Sequence, residues 1–86
     1  MLTPQKAVDQ FLASLRSRQA PANTFRSYAH DLQHFVQVVP STLEEATTHR
    51  IQTFLDSDGH HSPATRAHRY ATLCTFYRWA LRLGFI

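Results

Sequence analysis

Apolar residues return along this chain at three- and four-residue steps in four stretches, each bounded by helix start and stop signals. Val8, Phe11, Leu12 and Leu15 form one stripe of a helix predicted from Pro4 to about Arg18, with Thr3 as its cap and Pro4 in its first position. Lys6, Asp9, Gln10 and Arg16 lie outside that stripe. Gln19-Ala20-Pro21-Ala22-Asn23 breaks the pattern. Phe25, Tyr28, Ala29, Leu32, Phe35, Val36 and Val39 then line a second helix, whose opposite side carries Arg26, His30, Gln33 and Gln37. Pro40 ends it, and Ser41 and Thr42, followed three residues later by Glu44 and Glu45, offer overlapping capping boxes for one short turn.

A third, short helix is predicted from Thr47 or Thr48 to Asp56, with Ile51, Phe54 and Leu55 turned inward. Ser57-Asp58-Gly59-His60-His61 reads as a loop, and Ser62-Pro63 starts the longest helix. Its stripe is read as Ala67, Tyr70, Cys74, Tyr77 and Leu81, flanked by Leu73, Phe76 and Ala80, until Gly84 stops it near Leu83. The core is expected to hold Phe11, Leu15, Tyr28, Leu32, Phe54, Leu55, Leu73 and Tyr77. Phe25, Phe35, Tyr70 and Phe76 also fall on inward stripes, while Trp79 either closes the core or faces a neighbouring domain.

Composition narrows the fold class further. With 86 residues the chain has room for a single domain, residues 1–86, and 43% hydrophobic content suffices for its core. Two glycines, and no Asn-Gly or Asp-Gly between apolar runs, leave no hairpin punctuation. An all-α four-helix bundle is the expected class. The start, Met-Leu-Thr-Pro-Gln-Lys, lacks the apolar core of a secretory signal, no apolar run is long enough to span a membrane, and a cytoplasmic location is expected.

Nine Lys+Arg against six Asp+Glu give a formal charge of +3. Where those charges fall along the helices says more than their sum. On the fourth helix Arg66 and Arg69 lie within one turn near Ser62, Thr65 and Thr72, at the helix N-terminus, where backbone N–H groups and the macrodipole favour phosphate. Arg78 and Arg82 form a second cluster farther along. Thr24, Arg26, Ser27 and His30 repeat the mixture of short polar chains and cations on the second helix. Guanidinium groups grip phosphates or guanine edges bidentately. Two readings fit this pattern: a two-helix nucleic-acid surface, or two solvated amphipathic faces.

Chemistry is sparse elsewhere. His30 and His34 stand four residues apart and His60-His61 are adjacent, but the ligand set for a structural zinc is incomplete, so no metal and no cofactor is expected. Cys74, the one cysteine, sits among Leu73, Thr75 and Phe76 as a small core residue. No Ser-His-Asp signature, no Gly-rich phosphate loop and no carboxylate pair in a predicted cleft is present, and no catalytic residue is assigned.

Asn23-Thr24-Phe25-Arg26-Ser27-Tyr28-Ala29-His30-Asp31-Leu32-Gln33-His34-Phe35 resembles the Thr-x-x-x-Tyr-x-x-Asp-Leu-x-x-Phe signature of tyrosine recombinases of the phage integrase and Xer type. Ile51-Gln52-Thr53-Phe54-Leu55 is similar to the short third helix of that family's N-terminal, SAM-like core-binding domain, and the stretch from Ser62 to Ala80 to its last long helix. Pro21 departs from the pattern, standing where the family often has a capping serine.

The resemblance implies a four-helix orthogonal bundle that arches over duplex DNA, with its second and fourth helices near the major groove. It implies DNA contacts at Asn23, Thr24, Arg26, Ser27 and His30 on one helix and Ser62, Thr65, Arg66, His68 and Arg69 on the other. The partners it implies are double-stranded DNA, a C-terminal catalytic domain of the same protein and other recombinase protomers on the DNA. The catalytic residues of the family belong to that C-terminal domain, which no segment here matches, so the chain is expected to be a non-enzymatic N-terminal fragment ending where the family enters an interdomain linker. The alternative function is a helical protein-interaction module, which would use an apolar patch around Trp79, Leu83 and Phe85.

Overall fold

The computed structural model describes residues 3–38, 42–45, 47–56 and 62–86. They form α1 (Pro4–Ser17), α2 (Ala22–Val38), a 3-10 turn (Leu43–Glu45), α3 (Thr48–Leu55) and α4 (Pro63–Arg82). The fold is all-α, with four α-helices among the described residues. Thr3 and Ser62 cap their helices as expected, and Thr47 caps the third: each accepts from the backbone N–H three residues on. At α2 the Pro21 carbonyl accepts the Phe25 N–H at 3.0 Å, so a proline holds the entry position without any capping side chain. The expected loop from Ser57 to His61, the expected stop at Pro40 and the capping role of Ser41 lie outside the described residues.

α1 and α4 end in the same motif. Ala20 N–H reaches Leu15 O at 3.0 Å and Phe85 N–H reaches Ala80 O at 2.9 Å, each closing a six-residue turn over the last helical carbonyls. The left-handed residue that makes the reversal is Gly84, with φ +79°, in one case and Gln19, with φ +56°, in the other. The extents of 34 × 30 × 17 Å give the molecule the thickness of two helix layers. α1 packs on α2 and α4, and α3 packs on α2 and α4.

The core is an aromatic relay. Phe11 meets Tyr28, Phe76 and Trp79 edge-on, at 5.8, 5.6 and 5.3 Å between ring centroids. Phe35 meets Phe54 and Tyr77 in the same manner, at 5.4 and 5.9 Å. Phe11, Leu15, Leu32, Phe54 and Leu73 are buried as expected, whereas Tyr28, Leu55 and Tyr77 are only half-buried at its margin. Trp79 is buried and closes the core.

One face is corrected. α4 buries Arg69, Thr72, Leu73, Phe76, Trp79 and Ala80, not the stripe from Ala67 to Leu81. Tyr70 is 54% exposed and Leu81 64% exposed, with Ala67 also outward and Cys74 half-buried at the border. The buried stripe passes through two polar residues whose needs are met inside, so counting apolar residues alone selected the neighbouring face. Arg69 donates to Phe54 O at 3.0 Å and lies over the Phe54 ring, while Thr72 donates to Asp31 Oδ2 at 3.0 Å. The end of α2 is secured from α3, where Arg50 donates to Val38 O at 2.8 Å. Tyr77 donates to Leu43 O at 2.7 Å, fastening α4 to the 3-10 turn.

Candidate nucleic-acid interface

Two helices meet in register beneath the surface expected to face DNA. Ser27 and Asp31 stand one turn apart on α2; His68 and Thr72 stand one turn apart on α4. Ser27 Oγ and His68 Nε2 share a hydrogen bond of 2.5 Å, and Thr72 donates to Asp31 as above. Asp31 Oδ2 also lies 3.5 Å from His68 Nε2, which makes an ion pair when the imidazole is protonated. Asp31 is only 4% exposed, and the Thr72 hydroxyl supplies its buried carboxylate with a donor. Both His68 contacts use Nε2. A hydroxyl–imidazole–carboxylate relay requires one ring nitrogen for each partner, and this cluster therefore holds two helices together instead of activating Ser27.

Above that ladder Asn23, Thr24, Ser27, Tyr28 and His68 line an open concavity of about 340 Å³. Four of those five are among the contacts expected from the sequence, and the structure brings them into one place. Arg26 stands exposed beside them, its Nη2 donating to Asn23 Oδ1 at 2.6 Å. The neutral amide orients the guanidinium without cancelling its charge.

The remaining expected residues are distributed differently. Ser62 is exposed, and its hydroxyl accepts the Thr65 N–H at 3.2 Å and donates to Thr65 Oγ1 at 3.1 Å. Arg66, on the other flank of α4, reaches back to the Asp56 carboxylate that ends α3. His30 is exposed and stacks edge-on with His34 at 4.7 Å. Arg69 is 3% exposed, and its guanidinium is committed to the carbonyl and ring of Phe54, so it supports the interface from within and is not part of the exposed face.

Sequence reasoning missed Tyr28 as a wall of the concavity, Asp31 and Thr72 as its foundation, and Asp56 as the partner of Arg66. Asp31 was visible as the acid inside the Tyr28–Leu32 motif, and its coincidence with an apolar stripe was the available signal of burial. Among the described residues no group of three or more His, Cys, Asp and Glu could hold a metal ion, and no helix is long and apolar enough to cross a membrane. His60 and His61 lie outside the described residues.

Helical fold and site together define a small all-α domain whose second and last helices are pinned side by side, with a concavity between them that carries hydroxyl, amide and imidazole groups and has Arg26 beside it. The chain belongs to the family of phage integrase N-terminal SAM-like domains, whose family model matches residues 8–84. Neither the curated proteins nor the solved structures compared with the chain include a match.

Proposed function

We propose that this domain binds double-stranded DNA as the core-binding module of a site-specific tyrosine recombinase. The observation that carries the reading is the concavity between α2 and α4, where Asn23, Thr24, Ser27 and His68 converge beside Arg26. Hydroxyl, amide and imidazole groups on two adjoining helices suit phosphate oxygens and sugar edges, and a guanidinium at the rim adds long-range attraction to a polyanion. The first turns of α4 add Ser62, Thr65 and Arg66, next to the positive end of the helix.

The domain's role in this reading is to position the duplex for strand exchange. Chemistry resides in a catalytic domain of the same protein, and the other partners are further protomers assembled on the DNA. The protein-interaction alternative is weakened by Trp79, which was to anchor its apolar patch and is instead buried against Phe11, Phe76 and Phe85.

The test is fluorescence anisotropy of a labelled duplex across a series of salt concentrations. With about three to five phosphates engaged, log K falls against log salt with a slope of roughly −3 to −4.5, in a non-specific range near 10⁻⁴ to 10⁻⁶ M. Absence of binding at low ionic strength, or binding indifferent to salt, contradicts the proposal.

A further inference from the structure

The three arginines that the recombinase reading places near DNA are held by three different kinds of partner. Arg69 rests on a backbone carbonyl in the interior, where no phosphate reaches it. Arg26 is steadied by the neutral side chain of Asn23. Arg66 is paired with an anion at the surface, the carboxylate of Asp56, and both side chains are partly exposed. A carboxylate offers a guanidinium the same paired oxygens that a phosphate offers, so Asp56 already fills the place a DNA phosphate would take.

Asp56 is well placed for this by the fold. It caps the end of α3, its own N–H donating to Gln52 O at 3.1 Å, and this fixes the acid where α4 begins. A negative charge at a helix C-terminus is opposed by that helix's own dipole. Its favourable neighbour is Arg66, a cation that would itself attract DNA. Surface ion pairs of this kind are weak and solvent-accessible, so a phosphate can displace the carboxylate.

We propose that Asp56 is a built-in competitor for Arg66, which lowers the domain's general affinity for phosphate and makes engagement of α4 depend on a duplex already held at the α2 concavity. This inference rests on the DNA-binding reading. Removing the carboxylate frees the guanidinium before the duplex arrives, so the contact Arg66 makes in the bound natural protein is no longer opposed by its ion pair.

The test compares Asp56→Asn with Asp9→Asn, an equal change of charge on the exposed side of α1, in binding to one labelled duplex at several salt concentrations. Asp56→Asn is expected to tighten binding about three- to fivefold with little change in the salt slope, whereas Asp9→Asn changes affinity less than about twofold. Asp56→Ser reproduces the gain, and in an Arg66→Ala background the gain disappears. Equal effects of the Asp56 and Asp9 substitutions, or a gain that survives loss of Arg66, overturn the competitor role while leaving duplex binding intact. No salt-dependent binding by any of the proteins overturns the parent reading and this one with it.

Discussion

The Thr72 hydroxyl donates to the buried carboxylate of Asp31 at 3.0 Å, and this bond joins the middle of α4 to the middle of α2 directly below the candidate interface. Its energetic weight comes from burial. Thr72→Val keeps the shape of the side chain and removes the donor, leaving Asp31 with a poorly satisfied charge. Such a loss costs about 1–3 kcal/mol. Urea denaturation should show that decrease with an unchanged m-value; a Thr72→Val protein as stable as the natural one would mean that Asp31 is hydrated, contrary to the structure.

A second prediction concerns alkaline pH. Burial, and secondarily the negative charge of Glu44, push the Tyr77 phenol up from its ordinary value near 10 to about 12. Folding therefore favours the protonated phenol, which donates to Leu43 O. The unfolded chain releases this proton near pH 10 while the folded chain retains it, so the contribution is complete below pH 10 and is lost progressively from there toward about pH 12. Tyr77→Phe should lower stability at pH 7 by roughly 0.5–1.5 kcal/mol and remove this part of the alkaline decline. The check is denaturant melting at neutral pH and in steps from pH 9 to 11.5.

Backbone strain at the end of α1 yields a third. Gln19 occupies the left-handed conformation that Gly84 occupies at the end of α4. A residue with a Cβ pays about 1–2 kcal/mol there, and glycine's greater freedom in the unfolded chain returns about 0.4–1 kcal/mol of the difference. Gln19→Gly should therefore stabilise the domain by about 0.5–1 kcal/mol. Gly84→Ala should destabilise it by a similar amount, because a Cβ at Gly84 meets nothing within 4 Å and only the conformation resists it. Thermal melts of the two variants should move in opposite directions.

Much of the fold was legible in the chain because its punctuation is local. Thr3-Pro4, Ser62-Pro63 and Gly84 mark helix ends by chemistry that needs no tertiary context, and the structure uses all three. The stripes of α1 and α2 were legible for the same reason. α4 was not, because its inward face is set by what α2 and α3 offer: a carboxylate for Thr72 and a carbonyl with an aromatic ring for Arg69. A buried arginine and an exposed one read alike in sequence, which is why Arg69 was grouped with Arg66. The ladder of Ser27, Asp31, His68 and Thr72 joins residues 41 positions apart, and only packing reveals it.

The central claim, that one face and not net charge binds DNA, is tested most directly by two double variants matched in charge. Arg26→Ala with Arg66→Ala removes the exposed Arg26 and the partly exposed Arg66 of the proposed interface, and Arg78→Ala with Arg82→Ala removes two exposed cations near the other end of α4. Both proteins are first shown to melt like the natural one, since arginine stems also cover apolar surface. Anisotropy titrations with a single duplex over a range of salt then read affinity and slope together. The first pair is predicted to weaken binding at least about tenfold and to flatten the slope by about two units, while the second weakens it less than about threefold. Equal losses in the two folded double variants would contradict the account, leaving only a general attraction between a basic domain and a polyanion.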